Sequence, residues 1–473
     1  MKHEIFYRPE GAYVGDVIPF QENGNVYLYY LLENRKDKNS GTPWSLLTTN
    51  DYAHFQDYNI AFSSGGIEEI DFNCYTGSVV TDEKGNHHLF YTGNNPKMID
   101  ENGKSQQFIM HAISYDDMNS WHRKYNCTFG PGIGYEKYDW RDPFVFKDEN
   151  NVWRMLITAR KNYGPERRRG VIAQYKSNNL YDWEESEIFW DPNRFVAMEC
   201  PEVFKWGDWW YLIYSEFTDK FTTRYRMSKG LDGPWFAPEK DTIDGRAFYA
   251  SKSTFLKGRR YFTGWISTKT NENDDGDWQW AGNIATLEAK QKDDGTLAFS
   301  LPSSLKNKFK EELPISIEKK VLNSWDSYKY ILSKEEIPNT AYIKANINIG
   351  KNTKECGLLL RASEDGNENY AIRLEPNQSR MVFDRWPRKQ TGNEQWQVSG
   401  DVPFYLELER PCNLQEGAHK IEILLEGSIA MIILDDEISL STRVYNRQTG
   451  RIGYFSNDGK MTLTNLEVKT LKQ

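Results

Sequence analysis

Five stretches of this chain repeat one pattern in one register, and few folds can accommodate that. They are DVIPFQENGNVYLYY from Asp16, GSVVTDEKGNHHLFYTG from Gly77, DPFVFKDENNVWRMLIT from Asp142, ECPEVFKWGDWWYLIYS from Glu199 and ASKSTFLKGRRYFTGW from Ala250. Each joins a short apolar strand, a polar turn with Gly or Asn, and an aromatic-rich strand, so each reads as a hairpin. A turn residue follows each start by eight: Gly24, Gly85, Asn150, Gly207 and Gly258. The starts step by 61, 65, 57 and 51 residues (77−16, 142−77, 199−142, 250−199). A further strand ending near an aromatic follows each hairpin: Trp44–Phe55, Phe108–Trp121, Gly170–Trp183, Thr223–Trp235 and Ala285–Phe299. Units of this length with about four strands each are propeller blades. Residues 1–300 are therefore expected to form a five-bladed β-propeller. A tandem of unrelated sandwiches would not keep one hairpin register.

In a propeller the innermost strands surround one axis. Positions 16, 77, 142, 199 and 250 are then expected to share one funnel, and three of them are acids: Asp16, Asp142 and Glu199. Like charges held close cost free energy, so three carboxylates in one register suggest a working site. Two carboxylates flanking a bond are the equipment of glycoside hydrolysis, one ionised to attack and one protonated to release the leaving group. Glu199 stands in FVAMECPEVF, where apolar neighbours favour the protonated form, and is read as the acid/base. Glu202, three residues on, faces the other way in an extended strand. Asp16 is then the nucleophile. Asp142, beside Arg141, is expected to stay ionised and to stabilise positive charge on the sugar ring. Arg141 is read as a substrate contact, with an ion-pair role as the alternative.

Several segments resemble glycoside hydrolase family 32, the invertase, fructanase and sucrose-6-phosphate hydrolase group. Trp140-Arg141-Asp142-Pro143 resembles its Arg-Asp-Pro motif, and Glu199-Cys200-Pro201 its Glu-Cys-Pro motif. Asp71 with Cys74-Tyr75-Thr76-Gly77-Ser78 resembles its aromatic-Ser-Gly-Ser segment. Trp44 resembles the Trp of its Trp-Gly-His-Ala strand, and Trp278-Gln279-Trp280-Ala281-Gly282 its last-blade Gly-Trp-Ala-Gly element. The resemblance implies a five-bladed propeller with a β-sandwich behind it. It also implies retaining hydrolysis of β-fructofuranosides, with Asp16 as nucleophile, Asp142 as transition-state stabiliser and Glu199 as acid/base. Trp44, Tyr75, Thr76, Ser78, Cys200 and Trp280 are implied as substrate contacts. Two departures stand out. Tyr13-Val14-Gly15-Asp16-Val17-Ile18-Pro19 replaces the usual Trp-Met-Asn-Asp-Pro-Asn-Gly, so Gly15 stands where the family has a sugar-binding Asn. The family's Gln after the first aromatic strand falls near Leu31. A fructosyltransferase, another furanosidase such as an arabinosidase, and a non-catalytic sugar-binding protein are the competing readings.

Behind the propeller, residues 301–320 (rich in Ser, Lys and Pro) read as a linker. The alternating strands of 321–473 read as a β-sandwich. Trp386 and Trp396 are its candidate sugar-stacking aromatics, although a sandwich that only packs on the propeller is the simpler expectation. The loop Asn273-Asp274-Asp275-Gly276-Asp277 lacks the full EF-hand pattern and is expected to be solvated rather than to hold calcium. No metal or cofactor is expected. The net charge of −9, from 59 basic and 68 acidic residues, carries no basic patch and speaks against nucleic-acid or membrane partners. The N-terminal MKHEIFYRPEGAY has no apolar signal core, and no stretch approaches a membrane span, so a cytoplasmic protein is expected. The five widely spaced cysteines fit free thiols. A carbohydrate is the expected partner, and the pattern sets no oligomeric state.

Overall fold

A computed structural model describes residues 3–37, 39–385 and 407–472. The strands up to Ser300 form a β-propeller and those from Phe309 onward a β-sandwich. The five expected hairpins open the five blades, at Tyr13–Glu22, Asn73–Thr81, Tyr135–Lys147, Glu199–Trp206 and Phe248–Leu256. These first strands lie side by side in a closed ring, one to two to three to four to five and back to one. Each blade then runs outward as an antiparallel meander. Blade 4 has three strands, Glu199–Trp206, Trp209–Glu216 and Thr222–Ser228, and two isolated bridges, Met227 to Phe236 and Arg224 to Thr242, stand in for its outer edge. The ring closes where Val14 of the first blade pairs with Gly282 of the last.

The aromatic strands matter because the cores are wedges between blades. Ile18, Tyr29 and Trp44 of blade 1 pack on Val79, Leu89 and Tyr91 of blade 2. Trp140 and Met155 of blade 3 meet Phe90 and Ile109 of blade 2. Large flat side chains fill such flared gaps with few rotamers lost.

The sandwich stacks two antiparallel sheets. One runs through Lys460–Leu471, Thr340–Ile349, Gly417–Glu426, Ile429–Leu434 and Ile438–Arg443. The other runs through Tyr328–Ile337, Gly450–Asn457, Glu355–Ala362, Tyr370–Glu375 and Arg380–Asp384. The linker is shorter than expected. Phe309–Glu312 is already a sandwich strand, because Phe309 is buried and its backbone pairs with Leu471. Trp386 and Trp396 lie outside the described residues.

The halves are joined by buried polar contacts. Arg443 of the sandwich is 2% exposed and donates to the carbonyls of Ser267 (2.7 Å) and Ile266 (2.8 Å) in blade 5. The loop expected to be solvated is part of this seam. Asp274 is buried and accepts bonds from the Tyr370 hydroxyl (2.6 Å) and the Tyr445 amide (2.7 Å). Its charge is satisfied by the sandwich, a tertiary contact that its polar neighbours in sequence conceal. Among the described residues, no helix is long and apolar enough to cross a membrane.

Candidate active site

The first strand of every blade carries a β-bulge near its entry. The register breaks between Val14 and Val17, Tyr75 and Gly77, Arg141 and Phe144, Glu199 and Glu202, and Tyr249 and Lys252. A bulge sets two residues against one, bends the strand and re-aims side chains. In blades 3, 4 and 5 the first bulge residue is left-handed: Asp142 (φ 58°), Cys200 (φ 51°) and Ala250 (φ 52°). Non-glycine residues adopt that conformation only when their surroundings hold them there.

The bulges correct the eight-residue count. Asp142 corresponds to Cys200 and Ala250, whereas Glu199 stands one place earlier, with Arg141 and Tyr249. Asp16 is the second residue of its bulge. The count slipped for two reasons. Gly207 is first in its two-residue turn, where Gly24 and Gly258 are second. The stretch from bulge to turn is also one residue longer in blade 1 (Val17–Glu22) than in blade 5 (Lys252–Leu256). The acids therefore occupy neighbouring places in the bulge rather than one equivalent position, and their side chains still meet.

Asp16 accepts bonds from Trp265 Nε1 on one oxygen (2.9 Å) and from Thr76 Oγ1 on the other (2.6 Å), with Cys200 Sγ 3.6 Å away. Burial pushes its pKa up and the Glu199 charge adds to this, while the Thr76 and Trp265 bonds and Lys252 oppose it. Asp142 Oδ2 accepts from the Cys200 amide (3.0 Å) and Thr158 Oγ1 (3.2 Å). Its own amide donates to Thr92 Oγ1 (2.8 Å). Glu199 accepts from Tyr249 Oη (2.7 Å) and Arg141 Nη2 (3.1 Å). Its pKa is raised by burial first and by Asp142, against the lowering pull of Arg141 and Tyr249.

Arg141 differs from expectation. Its guanidinium bonds Asp139 (2.7 Å) and Glu199, and lies 3.9 Å from Asp142. It holds the acid/base candidate more closely than the stabiliser. Glu199 is thus a carboxyl in buried surroundings with two donors, not one in purely apolar company.

A cavity of about 340 Å³ opens beside Asp16 and Glu199, walled by Phe217, Phe221, Arg246, Tyr249 and Trp280. Trp280 is 38% exposed and stands edge-on to Trp265. Its indole explains Gly15. A Cβ there would lie 2.7 Å from Trp280 Cζ2 and Cη2 and 3.0 Å from Leu31 Cβ. The ring occupies the space that a longer residue 15 needs. Gly15→Ala is expected to displace Trp280, lower kcat/KM about tenfold (~1.4 kcal/mol) and cost ~1–3 kcal/mol of stability by overpacking. Steady-state kinetics with a melting curve checks this, and wild-type kinetics in the variant would show that the ring position does not matter.

Other expected contacts stay out of the cavity. Trp44 is fully buried and donates to the Cys74 carbonyl (3.0 Å). Tyr75 accepts from Asn73 Nδ2 (3.0 Å). Ser78 stitches blade 2 to blade 3, donating to the Pro143 carbonyl and accepting from the Val145 amide, each at 2.9 Å. These three build the walls that position Asp142 and Thr76. Glu202 is not among the residues lining the cavity and accepts from Ser253 Oγ (2.7 Å). Besides the cavity residues Phe217, Phe221 and Arg246, the participants that escaped the sequence reading include Trp265, Tyr249 and Lys252. Lys252 is 3% exposed and bonds the Gly77 carbonyl (3.0 Å); burial raises the pKa of both Asp16 and Asp142, and the Lys252 charge works against that rise. Its signal was visible as a charged residue inside the strand pattern ASKSTF.

Residues 9–297 match the N-terminal domain of glycosyl hydrolases family 32, and residues 306–470 match the C-terminal domain of the same family. The chain belongs to glycosyl hydrolase family 32. By that membership it is a glycoside hydrolase. It is similar to a levanbiose-producing levanase of Bacillus subtilis, 22% identical over 95% of this chain and 87% of that one. It is also similar to a sucrose-6-phosphate hydrolase of Escherichia coli, 25% identical over 54% of each chain. Among solved structures, fructan 1-exohydrolase IIa from Cichorium intybus superposes with a TM-score of 0.77 at 15% identity, covering 99% of this chain and 97% of that one. Sucrose-6-phosphate hydrolase from Lactobacillus gasseri gives 0.74 at 18%, covering 99% and 93%. Identities this low establish the shared fold.

Tyr249 offers a pH test of the acid/base. Its hydroxyl favours the charged form of Glu199. Removing a donor to the charged form raises a carboxyl's pKa. An acid that must start protonated then stays protonated to higher pH. Tyr249→Phe is therefore expected to move the basic limb of the kcat/KM profile to higher pH. An unmoved limb would mean that Glu199 does not set it.

Proposed function

We propose that this protein is a retaining β-fructofuranosidase that works through a covalent fructosyl intermediate on Asp16. The observation that carries this reading is the placement of Asp16 and Glu199 on one small cavity, each held by two hydrogen-bond donors. An Asp16 oxygen attacks the anomeric carbon as Glu199 gives its proton to the leaving oxygen. Glu199 then takes a proton from water, which attacks the same carbon and frees Asp16. Asp142, fixed by its backbone and Thr158 bonds, is the proposed stabiliser of the oxocarbenium-like ring; burial and Asp16 raise its pKa, and Arg141, the Cys200 amide and Lys252 oppose this in favour of the anion.

A cavity of about 340 Å³ lies at the small end of ligand sites, roughly 300–1,000 Å³. That suits a terminal fructosyl unit with the rest of the substrate outside. Small fructosides and fructan chain ends are the proposed substrates, in keeping with levanase and sucrose-6-phosphate hydrolase relatives. The Trp280 ring beside Gly15 supplies an apolar wall where the family resemblance would place an Asn, so the sugar ring is proposed to meet C–H packing there. A product-resolved screen on sucrose, sucrose 6-phosphate, inulin, levan and short fructo-oligosaccharides tests the proposal. Free fructose is expected. Longer or cyclic products would make it a transferase, and binding without turnover would make it a sugar-binding protein.

A further inference from the structure

Glu22, His87 and Asp117 bring three metal-ligating atoms within 4.8 Å of one another, away from the catalytic cavity. They come from separate elements. Glu22 ends the first strand of blade 1, His87 begins the second strand of blade 2, and Asp117 lies in the loop after the third strand of blade 2. Along its strand Glu22 is about 20 Å from Asp16, at ~3.3 Å per residue. Glu22 Oε2 lies 2.9 Å from His87 Nε2, and Glu22 Oε1 accepts from Thr81 Oγ1 at 2.9 Å. That second bond orients the carboxylate, as outer partners of metal ligands do. His87 is 3% exposed; the Glu22 carboxylate can only accept, so Nε2 carries a proton in the metal-free chain, a cation bound there would take that proton's place, and the buried Nδ1 has no partner. Asp117 is exposed and leaves the cluster open to solvent.

A separate observation points to a missing component. The Tyr29 hydroxyl is wholly buried and makes no hydrogen bond. Burial raises its pKa most, followed by Tyr27 and then by the charges of Asp117 and Glu22. A buried hydroxyl without a partner costs ~1–3 kcal/mol. A cation with its bound water in this space would supply the partner.

We propose that Glu22, His87 and Asp117 form a divalent transition-metal site that ties blade 1 to blade 2. One imidazole nitrogen with two carboxylate oxygens is a donor set for Zn²⁺ or Mn²⁺, with open positions left for water. Binding requires His87 neutral and places the ion's charge against two carboxylates. A ligand that binds only the folded chain raises its melting temperature. The site holds the propeller and takes no part in turnover.

The test uses the full chain stripped with a chelator and titrated calorimetrically with Zn²⁺ and, separately, Mn²⁺. One equivalent is expected for Zn²⁺, with a rise in melting temperature and unchanged kcat. Asp117→Asn, at an exposed position that leaves the core intact, and Glu22→Gln are expected to weaken uptake at least tenfold and to remove the melting shift. Absence of stoichiometric uptake by the wild type overturns the proposal. So does uptake that both variants retain, which would place the ion elsewhere, for example on a thiol. Co²⁺ spectra separate that case, because thiolate ligation adds a near-ultraviolet charge-transfer band and this site would not.

Discussion

Asp16→Asn is expected to lower kcat by about 10³-fold or more, roughly 4 kcal/mol of barrier at 1.36 kcal/mol per decade. The substitution keeps the size of the side chain, so Trp265 and Thr76 retain a partner on at least one atom and folding should survive. What disappears is the anionic oxygen proposed to form the bond to the anomeric carbon. Melting temperature is expected to stay near wild type, or to rise, because Asp16 is a buried acid whose charge is disfavoured by burial and by Glu199. The measurement is turnover of a fructoside beside a thermal melt. Near-normal kcat in a folded variant would remove Asp16 as the nucleophile.

The second large effect falls on Glu199. General acid–base assistance contributes roughly 10²–10⁴ in rate. Glu199→Gln is expected to lose that much with sucrose or a fructan, whose leaving alkoxides need a proton. With fructosyl fluoride, whose leaving group departs as a stable anion, the first step should be nearly unimpaired. The slow step becomes release of the fructosyl group by water, and a small anionic nucleophile such as azide should restore the rate. Equal losses on both donors, with no rescue by azide, would show that Glu199 acts by holding Arg141 and Tyr249 in place.

Why the acids were legible and their helpers were not follows from the bulges. A repeat is written in the sequence as spacing, so the blades, their hairpins and three acids near the axis could be read from it. A bulge adds one residue without a signature of its own. Asp142 and Cys200 share a left-handed backbone that no residue type announces. Hence Glu199 was read one place away from where its strand sets it. Trp265 and Tyr249 sit among many aromatics, and only the local bend decides which of them face the axis. Trp44 and Ser78 belong to motifs shared with the family, yet they serve the wall and not the cavity. Asp274 shows the opposite failure, since a run of Asn and Asp suggests water until the sandwich is folded against it.

The Arg443 contact has a consequence for how the two halves can evolve. Its guanidinium ends on the carbonyls of Ile266 and Ser267, one and two residues beyond Trp265, whose ring holds Asp16. A chain cut after residue 300 would leave these carbonyls, and Asn283 beside them, without their donor. The strand carrying Trp265 would lose its outside brace. Selection on catalysis therefore reaches a sandwich residue outside the catalytic cavity, and the two domains are expected to be inherited as a pair, with little freedom to be recombined between lineages.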